Sequence, residues 1–254
     1  MSVEERIAVE LDRIEAEKGV RILFACESGS RAWGFPSADS DYDVRFVYCH
    51  KPTWYLRVTP FRDVIEVPIS EDLDINGWDL RKAFGLMMKS NPPLLEWLHS
   101  PIIYRENSSA LAELRRLAEV CFRVDSVSYH YLRMAQNSQS GLGSGTEVKL
   151  KKYFYTLRPL MALEWIHSGR GVPPTDFTQI VQELHPEGEV REAIDALTAQ
   201  KRQGFESNLG PRIPSIDGWI LEKMAYWESK KFKRDPREKK GPELDEAFRN
   251  LISG

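Results

Sequence analysis

The chain has little cysteine: three residues in 254, Cys26, Cys49 and Cys121, an odd number, widely spaced and mostly set in apolar segments. That excludes a disulfide framework or a zinc site and leaves reduced, packed thiols. Long apolar runs are missing too, and the opening stretch MSVEERIAVELDRIEAEKG is too charged for a signal peptide. A cytoplasmic protein with no membrane partner is expected. There is no excess of basic charge either. At a net charge of −3 the whole molecule is no electrostatic match for nucleic acid, so any such contact has to come from a local patch. No glycine-rich Walker loop and no Ser/His/Asp or Cys/His spacing is identifiable. What remains, 42% apolar and 29% charged residues, is ordinary for a globular chain long enough for a large core and two domains.

One stretch organises the rest. An apolar run, Ile22-Leu23-Phe24-Ala25-Cys26, is followed by Gly29-Ser30, ten intervening residues, and then Asp41-Tyr42-Asp43 leading into Val44-Arg45-Phe46-Val47-Tyr48. The apolar runs predict two strands, with Gly-Ser as the turn between the first strand and a short helix. Side chains alternate along a strand, so Asp41 and Asp43 are expected on one face, while Asp39 is out of phase and reads as a turn cap. Two carboxylates that close repel unless a cation sits between them, and hard oxygen donors suit Mg²⁺ or Mn²⁺. Gly29 lets the backbone approach a ligand, and a helix N-terminus offers free N–H groups to a phosphate. Together these are the equipment of phosphoryl or nucleotidyl transfer.

Along the chain, residues 3–18 carry Val3, Ile7, Leu11 and Ile14 at helical spacing. Ser2 and Glu5 form a capping box, and Gly19 provides the stop. Strands are expected at Trp54–Val58, at Asp63–Val67 and, briefly, at Leu73–Ile75, with a helix from about Trp78 to Lys89. After about residue 105 helical periodicity takes over, including one helix over Val148–His167. The fold class expected is therefore α/β (α+β): a small mixed sheet with its helices over residues 1–105, and an α-helical domain over 106–254. Asn137–Thr146 looks flexible, as a helix-to-helix loop or a mobile element over a cleft. Trp33, Trp54, Trp78 and Trp97 have apolar neighbours and read as core. The basic run Lys230–Arg234, with Arg237, Lys239 and Lys240, is flanked by acids and reads as a solvated helix end.

The spacing Gly-Ser, ten residues, Asp-x-Asp resembles the signature of the DNA polymerase β-like nucleotidyltransferase superfamily. The fuller string ESGSRAWGFPSADSDYDVRFVY is more similar to its RlaP/YcgL-type subfamily, associated with RNA repair. Further matching text lies at Asp74–Lys82, Ser90–Trp97 and Lys151–Leu160. The resemblance covers roughly residues 20 to 170 and implies a two-metal transfer of NMP from an NTP, with AMP from ATP expected, to an acceptor. The acceptor stays open between an RNA end, a protein hydroxyl (as in antitoxin-type AMPylation) and a small molecule; a catalytically silent nucleotide-binding module is the alternative of a different class. Asp41 and Asp43 are the metal ligands it implies. A third carboxylate is expected from a neighbouring strand: Asp74, which matches the family text, with Glu66 in its β-branched run as rival. Gly29, Ser30 and Arg31 are expected at the triphosphate. Lys149, Lys152 and Tyr153, read as one basic helix, are expected to complete the nucleotide site. The oligomeric state is not encoded in any motif.

Overall fold

A computed structural model of the chain describes all residues except 39, 70, 71, 144, 187, 205–208 and 234–239. The turn-cap role of Asp39 and the basic run from Arg234 to Lys239 therefore lie outside the described residues. The chain divides into two compact units. One comprises Met1–Gly29, Asp41–Phe122 and Pro236–Gly254; the other comprises Ser30–Ser40 and Arg123–Asp235.

The first unit is built on a five-stranded mixed sheet. Its strands are β1 (Arg21–Glu27), β2 (Tyr42–Cys49), β3 (Val64–Glu66), β4 (Leu73–Asp79) and β5 (Ile103–Glu106), in the order β3-β4-β2-β1-β5. β2 and β4 run parallel, and the other neighbours are antiparallel. Helix α1 (Val3–Lys18) forms as its sequence predicts. Ser2 Oγ accepts from the Glu5 amide, Glu5 reaches back to the Ser2 amide, and Gly19 closes the helix in the left-handed conformation. Ile7, Leu11 and Ile14 share a buried cluster with Ile22, Ala25, Val44, Phe46, Tyr48, Leu73 and Ile75, which covers one face of the sheet. Each of these helix side chains, once buried, contributes about 1.5–3 kcal/mol.

The helices α2 (Leu80–Met87), α3 (Pro92–Leu98) and α4 (Ser108–Cys121) pack on strands of this unit. Asp79, fully buried, caps α2 through the Arg81 amide, and Trp78 stacks on Trp97 with ring centroids 3.7 Å apart. β4 outruns the short strand expected at residues 73–75 because it pairs with β2 as far as Tyr48 and Asp79. The strand expected at 54–58 is replaced by a 3₁₀ turn, Pro52–Leu56. Proline opens that turn, and Tyr55 is pulled inward to donate to Asp79.

The second unit is helical: α5 (Val124–Ser140), α6 (Lys151–His167), α7 (Phe177–Leu184), α8 (Glu189–Arg202) and α9 (Pro214–Ser229), with a two-stranded ribbon of β6 (Glu147–Lys149) and β7 (Leu209–Pro211). The single helix expected over 148–167 is thus broken: Val148 and Lys149 pair with Gly210 and Leu209 as strand, and α6 begins at Lys151. Arg212 ties down the loop before it, donating to the carbonyls of Leu142, Gly143 and Gly145. The final helix, α10 (Gly241–Ser253), belongs to the first unit, where Phe248 meets Tyr55 and Phe84. Among the described residues, no helix is long and apolar enough to cross a membrane.

Candidate active site

The site of the first unit is assembled where β1 ends and β2 begins. Gly29 has φ +106, a conformation that L side chains rarely adopt. The space that a Cβ would occupy there is filled by the carboxylate of Asp43. The bend is thus required twice over, by its backbone angle and by an acid seated directly upon it. Asp43 is held in place from its main chain. Its carbonyl accepts from the Ser28 amide at 2.8 Å, and its amide donates to Glu27 Oε1 at 2.9 Å. Glu27 is itself fully buried at the end of β1, and its second oxygen accepts from the Tyr104 hydroxyl at 2.5 Å. Nothing in the spacing of the sequence singles out Glu27, because its role is to brace the backbone of the neighbouring strand.

Parallel pairing of β2 with β4 sets Asp43 level with Asp74 and Arg45 level with Asn76. Antiparallel pairing then sets Asn76 level with Glu66 on β3. The side chains of Asp43, Arg45, Asp74, Asn76 and Glu66 therefore project from one face. Arg45 joins the two acids: its Nη2 donates to Asp43 Oδ1 at 3.0 Å and to Asp74 Oδ2 at 2.7 Å. Its Nη1 donates to the carbonyls of Val44 at 3.1 Å and Asp74 at 2.8 Å. Arg45 was not among the residues expected from the sequence; the signal that could have found it is a lone cation at the next same-face position after Asp-x-Asp. Glu66 lies on the edge strand, exposed and paired with Arg62. Asn76 Oδ1 is buried, and among the described residues it has no hydrogen-bond partner.

The electrostatics follow from this crowding. Burial pushes the Asp43 carboxyl above its ordinary range; Arg45 pulls it back, and Asp74 and Asp41 push it further up. Asp41, just ahead of β2, is exposed. An anion short of positive charge, with hard oxygen donors on Asp41 and Asp43 two residues apart, fits Mg²⁺ or Mn²⁺. A three-carboxylate set fits less well. Among the described residues no group of three or more His, Cys, Asp or Glu is placed to hold a metal ion, and a guanidinium stands between Asp43 and Asp74.

The remaining expected residues belong to the second unit. There the segment Ser30–Ser40 is bound to the helices. Phe35 stacks on Phe154 at 4.2 Å, and Arg158 lies 3.5 Å from the Trp33 ring centroid. The Asp176 carboxylate fills the Cβ position of Gly34, and Lys201 donates to Ser37 Oγ at 3.0 Å. Ser30 donates to Ser40 Oγ at 3.0 Å, and Arg31 donates to the Ser40 carbonyl at 2.7 Å, closing the segment on itself. Lys149 is exposed on β6 rather than on the helix, so the helical face it was expected to share with Lys152 does not exist. Lys152 on α6 is half-buried, its ammonium 5.7 Å from the Tyr155 ring. Tyr153 requires a correction. It is fully buried, its hydroxyl donates to Asp217 and accepts from the Ile213 amide, and it has no exposed face on which a base could stack.

Comparison with known proteins gives the family. A sequence relative, an uncharacterized protein YcgL of Bacillus subtilis (strain 168), is 49% identical over 218 residues, which is 86% of this chain and 84% of that protein. A solved structure, a nucleotidyltransferase-like protein from Exiguobacterium sibiricum 255-15, aligns over 99% of this chain and 87% of its own at a TM-score of 0.33 and 10% identity. The model of the RlaP family matches residues 3–250, nearly the whole chain. With the Gly29–Asp43 bend and its paired strand acids in place, the chain belongs to RlaP, the RNA repair pathway DNA polymerase beta family, and is a nucleotidyltransferase of the polymerase β-like kind.

Proposed function

We propose that the chain transfers AMP from ATP to the end of an RNA in a reaction that depends on Mg²⁺ or Mn²⁺. The observation that supports this most directly is the Asp43 carboxylate seated on Gly29, with Asp41 two residues before it. Asp41 and Asp43 would hold the cation. When bound, the cation neutralises triphosphate charge and assists the attacking and leaving oxygens. The protein's own contribution is positional. Glu27 and the Ser28 amide fix the backbone of Asp43, so that its carboxylate needs no reorganisation when substrate arrives. Ser30, next along the chain from Gly29, is the proposed hydroxyl donor to the triphosphate. RNA as acceptor rests on the family's description as an RNA repair pathway family.

The test is to incubate the chain and its Asp41→Ala, Asp43→Ala double variant with ATP labelled in the α-phosphate and adenine, Mg²⁺, and mixed RNA and protein acceptors. Label transferred to RNA by the wild type and not by the variant supports the proposal. Label on protein transfers the reading to AMPylation. Binding of ATP with no transfer to any acceptor leaves a silent nucleotide-binding module and refutes the enzymatic reading.

A further inference from the structure

We propose that Arg45 is a resident cation that restricts the carboxylates of this site to one divalent ion, and that Asp74 anchors the guanidinium instead of ligating metal. The inference rests on the metal-dependent reading above and refines it. Arg45 is no swinging arm. One nitrogen is shared between Asp43 and Asp74, and the other is fixed to two strand carbonyls, Val44 and Asp74. Its side chain is 15% exposed, against 32% and 33% for its two acid partners, so the cation is the deepest member of the trio. Asp74 is engaged by this one side chain at both its carboxylate and its carbonyl.

Charge counting gives the consequence. Asp43 and Asp74 carry two formal negative charges and Arg45, bonded to both, returns one positive charge, so a single divalent ion already exceeds the charge left on the bridged pair. Asp41 and the Asp43 oxygen not bonded to Arg45 are the donors that the metal-dependent reading assigns to that ion. A second ion on the same carboxylates would have to enter beside a fixed cation bonded to two of them, and Coulomb repulsion over that distance opposes it.

Mn²⁺ alone, titrated into the full-length chain and followed by the electron paramagnetic resonance of the free ion, tests this without reference to activity. Wild type is expected to bind one ion, and the binding should disappear in the Asp41→Ala, Asp43→Ala variant. Arg45→Gln should bind the first ion at least about tenfold more tightly and admit a second, because two carboxylates lose a fixed positive neighbour. Tightening is a result that loss of structure does not produce. Arg45→Lys, which keeps the charge, should bind one ion with wild-type affinity to within about threefold. The double variant Arg45→Gln, Asp74→Asn removes the pair as a unit and restores the wild-type charge. It should also bind one ion to within about threefold of wild type, and it tests the proposal even where Arg45→Gln alone fails to fold. Unchanged or weaker binding by folded Arg45→Gln overturns the proposal while leaving the metal reading intact. So does a double variant about tenfold weaker than wild type, or two ions on the wild type. Absence of Mn²⁺ binding in every variant removes the metal reading and the proposal together. Binding by Arg45→Gln where wild type binds none also overturns it, because the proposal requires one ion on the wild type.

Discussion

Replacing Gly29 by alanine puts the central packing relation of the site to a thermodynamic test. Two costs are expected. A non-glycine residue forced to φ +106 costs about 1–3 kcal/mol. In addition, the new methyl group meets Oδ2 and Cγ of Asp43, so the carboxylate has to swing away and give up its bond to Arg45. A charge-assisted bond is worth about 1.5–3 kcal/mol, and partial exposure of Asp43 brings the expectation down to about 1–2. Gly29→Ala should therefore cost about 2–5 kcal/mol by urea unfolding. Gly19→Ala is the control: Gly19 also has positive φ, but nothing lies within 4 Å of its added Cβ, so backbone strain of about 1 kcal/mol is all it should show. In a double variant with Asp43→Ala the clashing atoms are gone and the nearest remaining atom of residue 43, its Cβ, is 3.3 Å away, a contact that small adjustments relieve. The cycle should show a favourable coupling of about 1–2 kcal/mol between the two substitutions. Additivity to within about 0.5 kcal/mol would refute the claim that the acid sits on the glycine.

Burial holds His50, His99 and His167 below the ordinary histidine value of 6.5. The unfolded chain therefore binds more protons than the folded one as pH falls through that value, and stability should decline from pH 7.5 to pH 5; a urea midpoint that is flat or rising toward pH 5 refutes this. Tyr153→Phe removes the hydroxyl that links α6 to Asp217 and Ile213 and should cost about 1–2 kcal/mol of stability. ATP affinity measured by calorimetry should stay unchanged, and a tenfold loss would return Tyr153 to the nucleotide site. Phe35→Ala should cost about 3–5 kcal/mol, because a side chain 1% exposed leaves a cavity against Phe154 and Phe177; a loss below 1 kcal/mol in urea unfolding would show that the aromatic contacts do not hold the segment.

The parts of this molecule that were legible in its sequence are those carried by local chemistry. The capping box and Gly19 fixed both ends of α1, and alternation put Asp43 on a definable face. The parts that were not legible depend on partners far away in the chain. Val148 and Lys149 read as helix because their local pattern is helical, and they become strand only because Leu209 and Gly210 are there to pair with them. Tyr153 reads as a ligand aromatic beside two lysines until Asp217 and Ile213, some sixty residues on, claim its hydroxyl. The ten residues between Gly-Ser and Asp-x-Asp carry a similar lesson. Read from the sequence they are a turn into a short helix at the site, yet among the described residues no helix forms there, and Phe35, Trp33, Gly34 and Ser37 each have a partner on or at the end of a helix of the second unit. The length of the signature is therefore set by what those side chains must reach as well as by the chemistry at its two ends. Arg45 is the sharpest case. One residue beyond Val44 in an apolar strand, it looks like a solvent-side cation; only the register of β2 against β4 places Asp74 beside it and makes it the member of the site on which the charge balance turns.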